Sequence, residues 1–167
     1  VLLARHGTPG RARDVAVFDR PAGRGRIALV ADGPAGLDVV DVSDPTRSHE
    51  LGYLAIRASA IAVAFLGDAT AQRAIVASAD PDSDRDPPVR ARLTTVDLTY
   101  PSQPVAMAEV RLGTTEVRDL VVDGTLVLVL GAAGEVFAVD VTDPARPVFA
   151  ASPVAIGSTV RRFSLAG

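Results

Sequence analysis

"LDVVDVSDP" at residues 37–45 decides the fold, because two further versions of it follow, "LTTVDLTYP" at 93–101 and "VFAVDVTDP" at 136–144. Each version is a β-rich run that ends in Val-Asp, one apolar residue, Ser or Thr, one further residue and proline. Pro101 and Pro144 lie 43 residues apart, which is the length of one four-stranded propeller blade. The chain is therefore built from internal repeats.

The sequence around each phrase repeats as well, with two apolar segments before it and one after it. All of these segments are rich in β-branched or small apolar residues, and turn residues separate them. They span 13–18, 26–32 and 50–56 in the first repeat, 60–66, 73–79 and 105–112 in the second, and 117–122, 125–130 and 147–156 in the third. No segment shows a capped helical period. The sequence predicts an all-β fold.

Four antiparallel strands repeated radially describe a β-propeller. The prediction is a propeller segment of about three four-stranded blades with one flanking strand at each end, forming an incomplete ring. The predicted units are an outer strand and linker of a preceding blade at 1–12, blade 1 at 13–57, blade 2 with loop insertions at 58–113, blade 3 at 114–157, and the inner strand of a following blade at 158–167. We expect this chain to be a segment of a longer propeller, or else one of several chains that complete a ring.

The repeated phrase resembles the LVIVD repeat of bacterial and archaeal propellers, many of which are exported or attached to the cell surface. The resemblance implies the propeller fold and a setting outside the cytoplasm or at the cell surface, but it supplies no catalytic residues. The second copy departs from the pattern, with Tyr100 where the others have Asp44 and Asp143. This departure puts the geometry of that turn in doubt, but not the strand before it.

Composition narrows the function further. A net charge of −3 and an aromatic content of 4% argue against a nucleic-acid partner, because stacking on bases needs aromatic side chains. The longest apolar runs are far too short to span a bilayer. The absence of cysteine excludes disulfides and thiolate metal sites within these residues. No cofactor motif is present, since the glycine-containing stretches at 21–26 and 131–135 match no phosphate-binding fingerprint and are predicted to be hairpin loops.

One motif points to catalysis, the Arg-His-Gly-Thr of residues 5–8, which is typical of histidine phosphatases. The repeat register argues against this interpretation. Residues 5–17 align with 111–122, so that Thr8 matches Thr114 and Arg13-Asp14 matches Arg118-Asp119, while His6 stands opposite Leu112. The phosphatase also needs an α/β fold and further cationic groups around the phosphate. We therefore predict a crossing between blades, and no catalytic residue is assigned.

The repeated aspartates Asp41, Asp97 and Asp140 are expected to be structural, since a residue needed in every blade serves what every blade needs. Aspartate and Ser or Thr before a proline accept local backbone hydrogen bonds and fix a turn.

The one asymmetric feature is "DPDSDRDPP" at 80–88. Asp80, Asp82 and Asp84 alternate as the first ligands of a calcium loop do. However, Arg85 stands where that motif needs glycine, and Ala91 where it needs the bidentate glutamate. We therefore predict no metal site, but an exposed loop whose binding residues are Asp80, Asp82, Asp84, Arg85 and Asp86.

The function expected from these observations is a non-enzymatic binding or scaffold module that contacts a protein partner or the remaining blades of the same propeller. The alternative is part of a propeller enzyme, a hydrolase, lyase or oxidoreductase, with its active site on the propeller axis or outside this segment. An enzyme predicts polar residues, unmatched between blades, that point into the channel. A scaffold predicts small or apolar inner strands.

Overall fold

A computed structural model describes residues 6–67, 71–80, 91–157, 159–160 and 162, and within them the chain is all β. Most of the two expected flanking strands, at 1–5 and 163–167, lies outside the described residues. The only helical turn in the described ranges is a 3₁₀ turn at Pro21–Gly23, in the hairpin loop predicted there. None of the described helical structure is long and apolar enough to cross a membrane.

The strands form three antiparallel sheets, each a blade in which successive strands pair in chain order. Blade 1 holds β1 (Asp14–Asp19), β2 (Arg26–Ala31), β3 (Leu37–Asp41) and β4 (His49–Leu54). Blade 2 holds β5 (Ser59–Gly67), β6 (Gln72–Ala79), β7 (Arg92–Asp97) and β8 (Val105–Arg111). Blade 3 holds β9 (Val117–Asp123), β10 (Leu126–Gly131), β11 (Glu135–Asp140), β12 (Val148–Phe149) and β13 (Val154–Ala155), and the last two both pair with β11.

The first strands of the blades lie side by side, with β5 between β1 and β9. The sheets therefore stack face to face in the order of the chain, as successive propeller blades do. The described sheets do not close into a barrel, which confirms an incomplete propeller segment.

The hydrophobic core lies between the blades. The strand β6 is buried on both of its faces, which explains why its sequence is continuously apolar rather than alternating. Ala74 and Val76 pack against blade 1, whereas Ile75 and Ala77 pack against blade 3. All four side chains are fully buried. A strand buried on both faces has no solvent side on which polar residues would be favoured.

The turn between β9 and β10 is a two-residue hairpin loop. Asp123 pairs with Leu126, so the loop consists of Gly124 and Thr125, and Gly124 takes a positive φ of 58°. Glycine adopts this left-handed conformation without the steric penalty that a side chain would bring.

The outer strands of blades 1 and 2 each carry a bulge at the same place, where Leu51 and Met107 have no partner in the register. In blade 3 the single strand predicted at 147–156 is wrong, because β12 and β13 are separate. Val154 is the fifth residue after Phe149, whereas in the other blades the corresponding residues are four apart. The extra residue enlarges the bulge, and Pro153 has no N–H for the ladder.

In blades 2 and 3, the loop that carries the repeat proline packs against the preceding blade. Pro144 is buried, and its carbonyl oxygen accepts a hydrogen bond of 2.6 Å from the Thr95 hydroxyl of blade 2. Pro101 is likewise buried, and the backbone of its loop lies against Gly52 of blade 1 so closely that a Cβ there would be 2.9 Å from the Pro101 carbonyl oxygen. Pro45, in the first of the three described sheets, is exposed.

Candidate functional site

The repeated aspartates form the same turn in all three blades. Each accepts, on Oδ1, the backbone N–H of the Ser or Thr two residues later at 2.8 Å: Asp41 from Ser43, Asp97 from Thr99 and Asp140 from Thr142. The Thr99 and Thr142 hydroxyls donate to the same oxygens. These bonds lower the pKa of each aspartate from its usual range. The predicted structural role is confirmed.

The turn that contains Tyr100 keeps its backbone geometry. The Gln103 N–H donates to the Tyr100 carbonyl at 2.8 Å, as Arg146 does to Asp143 at 2.9 Å. Only the side-chain bond is lost, because the phenol ring is 72% exposed and cannot accept the nearby backbone N–H as Asp143 does. The departure from the repeat pattern therefore does not disturb the turn.

The segment that contains His6 enters blade 1 as a linker, and a buried aspartate holds it there. The Thr8 hydroxyl and the Gly10 N–H each donate to Asp32, to Oδ1 and Oδ2 respectively, both at 2.6 Å. His6 is exposed. Sequence reasoning missed Asp32, although a single aspartate at the end of an apolar strand was a signal for it.

The linkers into blades 2 and 3, which correspond to this segment, are also held by hydrogen bonds. The Ser78 hydroxyl donates to the Arg57 carbonyl at 2.9 Å, and the Thr114 carbonyl accepts the Ala91 N–H at 2.8 Å. The alignment of Asp14 with Asp119 also holds, since each occupies the same register beside the second strand of its blade. These residues fasten linkers, and nothing in their geometry resembles a phosphatase site.

Asp38 is the described carboxyl group whose environment is least favourable to its charge. It is 2% exposed, and its Oδ2 has no hydrogen-bond partner among the described residues. Burial raises the pKa of Asp38, and the negative charges of Glu50 and Asp32 raise it further, while His6 opposes the shift. An unsatisfied buried carboxyl group destabilises the fold once it ionises.

We expect Asp38→Asn and Asp97→Asn to have opposite pH dependences. The raised pKa of Asp38 means that ionisation destabilises the wild-type fold increasingly as pH rises above about 4, so Asp38→Asn gains stability over the wild type in that direction. The hydrogen bonds from Thr99 lower the pKa of Asp97, so its contribution is present above about pH 4 and is lost as pH falls through the folded pKa. Melting temperatures from pH 3 to 8 test both signs, and parallel curves for wild type and Asp38→Asn would contradict the first.

The predicted binding loop at 80–86 cannot be placed, since Asp82, Asp84, Arg85 and Asp86 lie outside the described residues. Asp80 is described and is half-buried just after β6. Ala91, at the position of the calcium motif's glutamate, is fully buried, and its carbonyl accepts the Leu112 N–H at 2.8 Å. No group of three or more His, Asp or Glu side chains in the described ranges is arranged to hold a metal ion.

A cleft of about 680 Å³ opens between blades 2 and 3, and we call it the blade 2–3 cleft. Its lining comes from the end of β8, the linker into blade 3, the middle of β11 and the interrupted outer strand: Arg111, Leu112, Gly113, Phe137, Phe149, Ala151, Ser152 and Pro153. Phe137 and Leu112 are buried, whereas Phe149 is 46% exposed. Two aromatic rings and a proline make the surface mainly apolar, with Arg111 as the single charged lining residue.

A smaller groove of about 310 Å³ lies at the equivalent place between blades 1 and 2, and we call it the blade 1–2 groove. Thr94 stands there in the position of Phe137, and Met107 lines it where the bulge of β8 is intact. Glu109 also lines this groove and forms an ion pair with Arg92. The interruption between β12 and β13 therefore accompanies the larger of the two cavities, whose lining holds one charged residue against two in the blade 1–2 groove.

Sequence reasoning missed this cleft. The position three residues before each repeated aspartate is occupied by Asp38, Thr94 and Phe137 in turn, and this variation was its one signal. An apolar concave surface of this size with few polar groups is suited to holding a side chain or small molecule.

Comparison with known proteins supports the repeat assignment. The family model described as LVIVD repeat matches residues 9–54, which include all four strands of blade 1. A search of curated proteins found no match. This match on blade 1, together with the same phrase in blades 2 and 3, supports a propeller-like repeat module with LVIVD-type repeats.

Proposed function

We propose that this protein is a non-enzymatic binding or scaffold module and that the blade 2–3 cleft holds an apolar side chain of a protein partner. The carrying observation is the contrast between this cleft and the blade 1–2 groove, which occupies the same place but is about half as large. A location at the cell surface or elsewhere outside the cytoplasm is part of the proposal and rests on the family resemblance.

The chemistry of the cleft favours binding over catalysis. Phe137 and Phe149 offer large apolar contact area, and aromatic side chains of this kind dominate the energetics of protein interfaces. A general acid–base pair would need two ionisable groups within reach of one substrate, and the lining supplies Arg111 alone.

The inner strands support the same function. Asp14 Oδ2 accepts the Val63 N–H of blade 2 at 3.0 Å, so this carboxylate joins neighbouring blades. β5 carries no charged side chain along its nine residues. A scaffold with fixed blades presents its loops and clefts in constant positions, which limits the entropy lost on binding.

The test is selection of peptides from a random 12-residue display library, fused through the peptide N-terminus so that each C-terminus is free, on immobilised wild-type protein. We expect enrichment of peptides with an aromatic or branched aliphatic anchor, and Ala151→Phe should weaken the selected peptides at least tenfold by filling the cleft. The measurement is the dissociation constant of each synthesised peptide by fluorescence polarisation.

Ala106→Phe is the matched control, because Ala106 occupies the register position of Phe149 in blade 2 and is exposed. It adds the same ring at the blade 1–2 groove and should leave peptide affinity unchanged. The proposal would be wrong if the library yields no peptide that Ala151→Phe weakens, or if both substitutions weaken binding equally.

A further inference from the structure

We propose that the blade 2–3 cleft binds the C-terminal end of a partner polypeptide, with the last side chain between Phe137 and Phe149 and the α-carboxylate at Arg111. This inference rests on the proposed function and specifies its ligand. Four observations carry it: an unpaired cation, unpaired backbone donors, an aromatic floor, and an outer edge without charge.

Arg111 is the cation. It is exposed at the end of β8, it lines the cleft, and no carboxylate among the described residues lies within 4 Å of its guanidinium. Arg92, its partner across the β7–β8 ladder, is already paired with Glu109. Arg111 therefore supplies a positive charge to the apolar cleft, and its planar donors fit a carboxylate in two-point contact.

The interrupted outer strand supplies backbone donors next to this charge. The Ala150 N–H donates to the Ala138 carbonyl at 2.9 Å, and pairing resumes only at Val154. Between them, the N–H groups of Ala151 and Ser152 have no hydrogen-bond partner in the described part of the chain, and both residues line the cleft. Backbone N–H groups beside a cation form a recurring site for the terminal carboxylate of a peptide.

The rest of the cleft accommodates an apolar side chain. Phe137 forms its floor, Leu112 adds buried apolar surface, and Phe149 stands exposed at the side. Gly113 contributes no side chain to the wall of the cleft, and a Cβ there would lie only 3.3 Å from the Phe137 ring. An apolar group next to one anionic group is the chemistry that matches this lining, and a polypeptide ending in an aromatic or branched residue provides both.

The outer edge of blade 3 favours an extended chain as the carrier of that group. Residues 147–160 contain no charged side chain, whereas β4 holds Glu50 and β8 holds Glu109 and Arg111. Charges on edge strands prevent pairing with other chains, so their absence leaves this edge suited to another strand. Val148, Phe149, Val154 and Ile156 are all exposed large apolar residues of this edge.

The experiment uses fluorescein-labelled hexapeptides in which the last two positions are varied through all twenty residues, each made with a free C-terminal carboxylate and with a C-terminal amide. Fluorescence polarisation gives dissociation constants for the wild type, Arg111→Gln and the control Arg47→Gln, which alters an exposed arginine of blade 1. We expect peptides with an apolar last residue to bind wild type at least tenfold more tightly as the acid than as the amide. Arg111→Gln should abolish this preference, and Arg47→Gln should keep it.

Equal binding of acid and amide forms would overturn the C-terminal assignment, and so would a preference that survives Arg111→Gln. In that case internal peptides that Ala151→Phe weakens would leave the binding function standing. If no terminal peptide binds at 1 mM and the display library also yields nothing, both proposals are wrong. If a small aromatic acid, added as a competitor, displaced the labelled peptides at a lower concentration than any unlabelled peptide acid, the cleft would be assigned to a free metabolite. That result would overturn the peptide partner.

Discussion

Replacing Ile75 with alanine is expected to reduce the free energy of unfolding by about 2–5 kcal/mol, the range for removing a fully buried branched aliphatic side chain. Ile75 is fully buried in the core between blades 2 and 3. Blade 3 cannot shift towards β6 to fill the cavity, because β9 and the Pro144 loop already fix its position against blade 2. Urea denaturation followed by circular dichroism measures the change.

Val15→Ala is the matched control. Val15 lies on β1, also a strand, but its side chain is 58% exposed. Removing its methyl groups leaves no cavity, so stability should change by less than about 0.5 kcal/mol. Similar losses for both substitutions would show that the space between blades 2 and 3 is not the close-packed core described above.

The second large effect is expected for Asp32→Ala, which should lower the free energy of unfolding by about 2–4 kcal/mol. Asp32 is 1% exposed and accepts two short hydrogen bonds, from the Thr8 hydroxyl and the Gly10 N–H. Without the carboxyl group, both donors lose their partner, and the linker into blade 1 keeps only its backbone bonds from Arg11 and Arg13 to the main-chain carbonyls of residues 32 and 31. Thermal unfolding gives the stability, and amide hydrogen exchange at Gly10 reports the linker directly.

Asp19→Ala serves as the comparison, because Asp19 is also an aspartate of blade 1 with a hydrogen-bonded partner, Arg26. Both side chains of that pair are largely exposed, and exposed ion pairs contribute little to stability. Faster exchange at Gly10 should therefore follow Asp32→Ala alone. Unchanged exchange at Gly10 in Asp32→Ala would contradict the attachment.

The blades were predictable because their signals are local and repeated. The phrase around Asp97 fixes a turn through bonds to Thr99, two residues away, and the apolar run of β6 lies within one strand. The register of Asp14 also followed from alignment of the linkers, since Asp14 and Asp119 occupy the same place beside the second strand of their blades. The break between β12 and β13 was not predictable, since one extra residue becomes visible only against the ladder of β11.

The cleft was harder to predict for a related reason. Its lining joins residues from three separate stretches, around Leu112, Phe137 and Phe149, which meet only when blades 2 and 3 stack. Asp38 shows the same difficulty, because its pKa is raised first by its burial in the folded sheet and then by the charges of Glu50 and Asp32 on other parts of blade 1. The acidic loop at 80–86 was predicted to bind a partner from its composition, and composition carries no information about spatial neighbours.

The proline loops make the contact between blades directional. Pro144 reaches back to Thr95, and the loop of Pro101 reaches back to Gly52, so every such contact is encoded half in one repeat and half in the one before it. A gene duplication that copies one repeat therefore copies a proline loop that contacts the repeat before it and a strand that is contacted by the repeat after it. Selection on these contacts therefore acts on pairs of adjacent repeats, and a copied repeat is held in place only beside a neighbour that carries the matching half of the contact.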